Sequence, residues 1–153
     1  MTTYIDSSAL IPVYVPEPFS EAARVEILRA RSVPFTAIHR LEIANAFELL
    51  IGRRRITKSE HEAIINQLRE DLNAQRLVVV DLDFDRVFAE ATELSRRHSA
   101  RFLTRSLDLL HVAAAHAMGG RIFVSADDRQ LEVARASGLS AIDIKRRGRR
   151  RGK

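Results

Sequence analysis

The segment LDLLHVAAAHAMGGRIFVSADD, residues 107–128, shows how the chain is built. Its first half is apolar on nearly every side of a helix, which is typical of a helix buried in a core. Gly119 and Gly120 end that helix, and the apolar residues that follow predict a short strand. Asp127 and Asp128 come directly after the strand. A buried helix that leads into a buried strand is typical of a sheet with parallel strands.

The rest of the chain repeats this alternation. Short strands are predicted at 2–5, 34–37, 77–80, 121–124 and, on the weakest pattern, 141–144. Helices are predicted at 19–30, 39–52, 59–72, 84–98, 107–118 and 127–137. In helix 39–52 the predicted buried stripe is Leu41, Ala44, Phe47, Leu50 and Ile51. Strands that alternate with helices of roughly 10 to 15 residues predict an α/β fold, with a central parallel sheet flanked by helices.

The charge of the chain is concentrated at one end. The 153 residues include 25 Lys and Arg and 20 Asp and Glu, which gives a net charge of +5. Seven basic residues and no acidic ones lie in residues 145–153, so residues 1–144 hold 18 basic and 20 acidic residues and carry about −2. We predict one domain, residues 1–144, and a basic tail, residues 145–153, that is disordered because it has no apolar face to bury. The tail either contacts nucleic-acid phosphates or only adds solubility.

Composition excludes several classes of protein. With no cysteine, the chain has neither a disulfide scaffold nor a catalytic thiol. Apolar residues make up 46% and charged residues 29%, which is ordinary for a globular domain and excludes wholesale disorder. No apolar run approaches the ~20 residues that cross a bilayer, and the first residues lack the layout of a signal peptide. We therefore expect a soluble, cytoplasmic protein without a membrane partner.

Four acidic residues occupy positions where ligand sites form in such folds. Asp6 follows the first strand and Asp127 the fourth, while Glu42 and Asp108 lie in helices that are otherwise largely apolar. Ligands of parallel α/β folds bind at the carboxyl ends of the strands. Three of the acids also have a structural interpretation, because Asp6 and Asp127 can cap helices and Glu42 can lie at the surface.

Four carboxylates in one pocket would repel one another unless a cation lay among them. Ligands that are all oxygen suit a hard cation such as Mg²⁺ or Mn²⁺. A metal of this kind can orient and acidify a water molecule for attack on a phosphodiester. The spacing by itself only suggests such a site, because Asp and Glu are common residues.

Four segments resemble those of PIN-domain ribonucleases, most closely the single-domain, VapC-like toxins of bacterial and archaeal toxin–antitoxin pairs. In chain order they are YIDSSAL (4–10), LEIANA (41–46), DLLHVAAA (108–115) and FVSADD (123–128). The resemblance implies a PIN-like three-layer α/β fold with a central parallel sheet. It also implies Mg²⁺- or Mn²⁺-dependent endonucleolytic cleavage of RNA, inhibition by a cognate antitoxin, and a homodimer.

The resemblance carries the catalytic metal site onto Asp6, Glu42, Asp108 and Asp127. It places Ser8 and Ser125 as supporting residues that line the site. Asp128 directly follows Asp127, so either could be the nearer ligand. We favour Asp127, because it completes the Ser/Thr-x-Asp pattern of the family.

Four further residues lie near the acids in the sequence. Asn45, three residues after Glu42, could orient that carboxylate or a metal-bound water, or be a surface amide. His111 could be a metal ligand, but a single histidine in an apolar helix is more often a hydrogen-bonded core residue. His39 and Arg40 are predicted to lie at the surface, where Arg40 could contact phosphate.

Two other functions are alternatives to the nuclease. One is a PIN-like module that binds RNA or protein without cutting. The other is a haloacid-dehalogenase-type phosphatase, whose Asp-x-Asp motif resembles Asp81 and Asp83 after the apolar residues 78–80. This second resemblance is shallow, because Asp83 also fits as the cap of the helix that follows.

Overall fold

The computed structural model describes residues 2–149, except for the side chains of residues 147–149. The strands are β1 (Thr3–Ile5), β2 (Val33–Phe35), β3 (Leu77–Val79), β4 (Ile122–Ser125) and β5 (Ser140–Asp143). The helices are α1 (Ser7–Tyr14), α2 (Ser20–Ala30), α3 (Ala37–Gly52), α4 (Lys58–Asn73), α5 (Phe84–Leu94), α6 (Ala100–Phe102), α7 (Ser106–Ala117), α8 (Asp128–Ala136) and α9 (Ile144–Arg149). A π-helical turn, Ser95–Ser99, joins α5 to α6. The five strands predicted from the sequence are all present.

All strand pairs in the described part of the chain are parallel. In one sheet β4 lies between β1 and β5, with Tyr4 opposite Phe123 and Val124 opposite Ile142. In the other, β2 pairs with β3, and β2 lies beside β1. The carboxyl ends of β1 and β4 therefore meet at the same edge, which is where Asp6 and Asp127 follow in the chain.

Neighbouring residues of each central strand point to opposite faces of the sheet. Ile5 and Val124 pack into a core formed with helices α1 to α4. Tyr4 and Phe123 pack into a second core formed mainly with α5, α7 and α8. Helices therefore cover both faces, and the predicted three-layer α/β fold is confirmed.

Helix α3 is rotated relative to the predicted stripe. Leu41 is 64% exposed and Ala44 is also exposed, so the prediction that they lie in the core was wrong. Phe47 is buried as predicted, and the other buried residues of α3 are Ile38, His39 and Ile43. The start of the helix sets this rotation, because His39 is tied to the loop before it and to β1, as described below.

Residues 144–149 form α9, where the sequence analysis expected a disordered tail from residue 145. Ile144 is fully buried and supplies the apolar contact that the tail itself lacks. Lys145 Nζ lies 3.0 Å from Asp128 Oδ1, and Arg146 Nε lies 3.3 Å from Asp143 Oδ2. Residues 150–153 are outside the described residues, so the division into a domain and a tail stays a prediction. No described helix combines the length and the apolar character that crossing a membrane requires.

Candidate active site

Asp6 and Asp127 each begin a helix directly after a strand. Asp6 caps α1, where the backbone N–H of Ala9 donates to Asp6 Oδ1 at 3.0 Å. Asp127 caps α8, where the N–H groups of Arg129 and Gln130 donate to its Oδ1 at 2.8 and 3.1 Å. The capping interpretation is therefore correct for both residues. A cap also fixes each carboxylate at the positive end of a helix, at the strand edge where a site is expected.

Asp6 is completely buried and is surrounded by hydroxyl groups. Ser8 Oγ donates to Asp6 Oδ1 and Oδ2 at 2.8 and 2.9 Å, and Ser125 Oγ donates to Oδ2 at 2.8 Å. Burial raises the pKa of Asp6 to about 6, although the charge of His111 and these serine hydroxyls act in the opposite direction. The carboxylate is thus a costly buried anion that a nearby cation would stabilise.

The two serines tie the end of β1 to the end of β4. Ser125 Oγ accepts from the N–H of Asp127 at 2.8 Å, and Ser8 Oγ accepts from the N–H of Ala126 at 2.9 Å. Because Ser125 also donates to Asp6, one hydroxyl joins the first and fourth acids of the predicted site. The structure therefore places both serines beside the acids, as the resemblance implied.

Asp108 lies in the first turn of α7 and is 8% exposed. The N–H of Arg105 donates to its Oδ2 at 3.0 Å, and Gln130 Nε2 donates to its Oδ1 at 3.1 Å. Burial raises the pKa of Asp108, the N–H of Arg105 lowers it, and the charge of Asp127 raises it again. Asp108 and Asp127 are therefore close enough to repel, and Gln130 bonds both, through its side chain and its backbone.

Glu42 reaches the site from α3, where His111 holds it. His111 Nε2 contacts Glu42 Oε2, and the Tyr4 hydroxyl lies 2.7 Å from His111 Nδ1. Burial raises the pKa of Glu42, but the hydrogen bond and charge of His111, with help from Ser7, hold it below its usual value. His111 is thus a buried, hydrogen-bonded residue, the interpretation favoured from the sequence.

His39 is fully buried, so the prediction that it lies at the surface was wrong. The N–H of Thr36 donates to His39 Nδ1 at 3.1 Å, which leaves His39 Nε2 to donate to the carbonyl of Ile5 at 2.8 Å. Burial lowers the pKa of His39 to about 3, so the ring is neutral at ordinary pH. His39 ties the start of α3 to the end of β1 and so sets Glu42 relative to Asp6. Arg40 is exposed, as predicted.

Three other predicted residues stand apart from this cluster. The side chain of Asp128 is 77% exposed and pairs with Lys145 rather than turning toward Asp108. Asn45 is exposed on α3. Asp83 caps α5, with Arg86 N–H donating to Asp83 Oδ1 at 3.2 Å, which is the structural role the sequence suggested for it.

Ser7, Tyr4 and Gln130 were missed as site residues by the sequence analysis. Ser7 and Tyr4 lie in the same segment as Asp6, and Gln130 stands three residues after Asp127, within the turn that Asp127 caps. That spacing marks Gln130 as a neighbour of Asp127. Its bond to Asp108, 22 positions away, depends on the packing of α7 against α8.

The chemistry of the cluster suits a hard divalent cation. Within residues 2–149, no three His, Asp or Glu side chains form a ready-made metal cage. Mg²⁺ does not need one, because it commonly binds through one or two carboxylates and keeps several waters. Carboxylates, serine hydroxyls and an amide carbonyl provide only oxygen ligands, and Gln130 Oε1 is buried beside Asp108 without a hydrogen-bond partner. The residues present therefore fit such an ion.

The fold and the site together define a three-layer α/β domain with carboxylates gathered at the ends of parallel strands. The family described as "PIN domain" matches residues 3–136, and the chain belongs to this family. The resemblance found in the sequence is thus confirmed. PIN domains are generally nucleases, and PIN-domain nucleases generally use divalent metal ions.

Solved structures share the fold at low sequence identity. The crystal structure of FitAcB from Neisseria gonorrhoeae is 14% identical, over 94% of this chain and 99% of that one, with a TM-score of 0.66. VapBC2 from Rickettsia felis, bound to a DNA fragment from its promoter, is 16% identical over 94% and 98%, with a TM-score of 0.62. PAE2754 from Pyrobaculum aerophilum is 16% identical over 98% and 94%, with a TM-score of 0.59. No curated protein matches the chain.

Proposed function

We propose that this protein is a metal-dependent endoribonuclease that acts as the toxin of a toxin–antitoxin pair. The observation that carries the proposal is the buried carboxylate of Asp6, which Ser125 joins to Asp127 beside Asp108. Membership of the PIN domain family supports a nuclease. The VapC-like segments of the sequence support a toxin in particular.

Asp6 and Asp108 are the proposed main ligands of Mg²⁺ or Mn²⁺, and Glu42 and Asp127 complete the site directly or through water. When bound, the divalent cation supplies an oriented, acidified water for attack on the RNA phosphodiester. We assign the fourth position to Asp127 rather than Asp128, because the charge of Asp127 acts on Asp108, whereas Asp128 is exposed and pairs with Lys145.

The surrounding residues hold these carboxylates in place before any ligand binds. Ser8 and Ser125 fix Asp6, and the N–H of Arg105 fixes Asp108. His111 keeps Glu42 ionised and directed, so that one carboxylate can position the attacking water. Asp6, Asp108 and Asp127 are each fixed at the start of a helix, which supports a site with the ordered geometry that catalysis needs.

The charge of the pocket bears on how RNA binds. Residues 1–144 carry about −2, and the acids concentrate negative charge at the strand ends. RNA is a polyanion, so its binding at this site is expected to require the divalent cation. In the absence of the cation, repulsion between the carboxylates and the phosphates opposes binding.

A cognate antitoxin is the proposed protein partner. VapBC2 from Rickettsia felis, which shares the fold, was crystallised as a complex with promoter DNA, and this favours a toxin–antitoxin context. We expect the antitoxin to bring a helix or strand with an arginine to the acidic pocket, since a guanidinium pairs well with carboxylates. From the resemblance we also propose a homodimer that acts in the cytoplasm.

RNA cleavage assays test the proposal. Wild type should cut RNA with Mg²⁺ and stop with EDTA, and Asp6→Asn and Asp108→Asn should lose nearly all cleavage. The matched control is Glu132→Gln, because Glu132 is an exposed acid on α8 that pairs with Arg135. Cleavage at the wild-type level by either Asn variant would show that the site is assigned wrongly.

A different result would favour the PIN-like binding module. In that case wild type would bind Mg²⁺ and RNA and leave the RNA intact. Neither the family nor the structure supports the phosphatase, because the chain belongs to the PIN domain family and Asp83 caps α5.

A further inference from the structure

Two buried side-chain polar atoms in the described part of the chain have no hydrogen-bond partner: Thr104 Oγ1 and Gln130 Oε1. Gln130 contacts Asp108, and Thr104 lies in the segment that leads into the helix of Asp108. Thr104 precedes Arg105, whose N–H bonds Asp108, and the Gln130 amide bonds Asp108 directly. Leaving a buried polar atom without a partner is costly, so such atoms call for an explanation. The location of these atoms indicates that a ligand binds near Asp108.

The orientation of the Gln130 amide is fixed by its neighbour. Asp108 also accepts from Arg105, and an ionised carboxylate can only accept hydrogen bonds, so the NH₂ group of Gln130 must face Asp108. The carbonyl oxygen Oε1 is the other branch of the same planar group. The Gln130 side chain is 95% buried, since only 5% of it is exposed, and its backbone N–H holds Asp127. Oε1 is therefore a buried atom without a partner, on a residue that donates hydrogen bonds to both Asp108 and Asp127.

An amide carbonyl can be satisfied only by a cation or a hydrogen-bond donor. Here the neighbours Asp108 and Asp127 are acceptors that repel each other. A hard divalent cation would satisfy the Gln130 carbonyl and offset the repulsion between the two carboxylates. Such ions bind carboxylate and amide carbonyl oxygens together with water. The charge of Arg105 also acts on Asp108 and lowers its pKa, but the hydrogen bonds to Asp108 come from the backbone N–H of Arg105 and from this amide, and neither reaches Oε1.

We propose that Gln130 is a further residue of the metal site, whose carbonyl oxygen binds the divalent cation held by Asp108 and Asp127, directly or through one of its waters. This proposal rests on the metal site of the proposed function. Gln130 would be a neutral ligand beside the four acids, and it lies in the helical turn that Asp127 caps. It also explains why a buried polar atom is maintained beside Asp108.

Mn²⁺ binding to the full-length protein, measured by electron paramagnetic resonance of the free ion, tests Gln130 without an activity assay. Gln130→Met keeps the length of the side chain and removes the carbonyl, and should weaken Mn²⁺ binding about 10- to 100-fold, as the loss of supporting ligands typically does. Gln67→Met, at an exposed position on α4, is the control and should bind within about twofold of wild type. Circular dichroism establishes that each variant is folded.

Gln130→Glu separates the two halves of the amide. It keeps an oxygen at the position of Oε1 and removes the NH₂ donor to Asp108, so we expect it to bind Mn²⁺ at least as tightly as wild type. If Gln130→Met and Gln130→Glu both weaken binding equally, the NH₂ group matters and the proposal is overturned. If Gln130→Met binds like wild type, Oε1 is satisfied by water alone, and the proposal is again overturned.

The same titration distinguishes the two proposals. If wild type and Gln130→Met bind Mn²⁺ equally well, only the proposed role of Gln130 is ruled out. If wild type binds no Mn²⁺, the proposed metal site is ruled out, and the proposed function is ruled out with it. If Gln130→Met does not fold, Gln130→Glu is compared with wild type. Weaker Mn²⁺ binding by Gln130→Glu would contradict the proposed role of the carbonyl oxygen.

Discussion

Replacing Asp6 by Asn should stabilise the metal-free protein above neutral pH and remove its stabilisation by Mg²⁺. Asp6 is completely buried, and burial raises its pKa from 3.8 to about 6. Asn is neutral at every pH and is an equally good helix cap. Its carbonyl can still accept from Ala9, and the hydroxyls of Ser8 and Ser125 can rotate to accept from its NH₂ group.

The magnitude follows from proton linkage. Because the pKa of Asp6 is higher in the folded state than in the unfolded state, the folded state binds more protons between these values. The stability contributed by protonated Asp6 is present below pH 3.8 and is lost as the pH rises through about 6. About two pKa units correspond to roughly 3 kcal/mol. The serine hydroxyls bond a neutral amide less strongly than a carboxylate, which offsets part of this gain. The free energy of unfolding of Asp6→Asn should therefore exceed that of wild type by about 1 to 3 kcal/mol. Each kcal/mol corresponds to a rise in Tm of roughly 2 to 4 °C.

Urea unfolding of both proteins with EDTA, near pH 4.5 and near pH 8, measures this effect. The advantage of Asp6→Asn should grow by about 2 kcal/mol across that interval. Added Mg²⁺ should then stabilise wild type at pH 8 and leave the variant unchanged, since ligand binding to the folded state raises stability. An Asp6→Asn variant that is less stable than wild type at pH 8, or that shows the same pH dependence, would refute the reasoning.

Three further predictions concern other parts of the molecule. Tyr14→Phe should cost about 1 to 3 kcal/mol in urea unfolding, because Tyr14 donates at 2.6 Å to the buried carboxylate of Asp71. His111→Leu should sharply lower the rate of RNA cleavage at saturating RNA, because Glu42 loses the group that orients it. Deletion of residues 147–153, which contain five basic residues, should weaken RNA binding and flatten its dependence on salt, by up to ~0.7 in the log–log slope per lost phosphate contact.

The prediction for His111→Leu has a matched control, and each of the three predictions has an outcome that would contradict it. Tyr4→Phe leaves the contact between His111 and Glu42 in place, so it should keep most of the cleavage that His111→Leu loses. Equal losses in the two variants would mean that the fold, and not Glu42, is affected. An unchanged unfolding energy in Tyr14→Phe would show that its hydrogen bond contributes nothing. An unchanged salt slope after the deletion would make the tail a solubilising segment only.

The alternation of strands and helices could be predicted from the sequence, because short β-branched runs and periodic apolar residues are local features. The positions of Asp6 and Asp127 could be predicted for the same reason, since each directly follows a strand. The parallel order of β1 and β4 then brings these acids to one edge. A local pattern and one rule of topology were enough for this part of the site.

The buried partners of the acids depend on contacts between distant residues. His39 is buried because it bonds the carbonyl of Ile5, 34 positions away, and this bond exposes Leu41 on the other side of α3. Gln130 reaches Asp108 only after α7 packs against α8. A polar residue whose partner is distant in sequence looks like a surface residue in any local pattern.

The most direct test of the central claim, that the acids at the strand ends hold a divalent cation for RNA hydrolysis, is cleavage of an end-labelled RNA under three conditions. These are wild type with Mg²⁺, wild type with EDTA, and Asp108→Asn with Mg²⁺. Cleavage in the first condition alone is the predicted result. Cleavage that persists in EDTA, or that Asp108→Asn carries out at the wild-type rate, would contradict the claim.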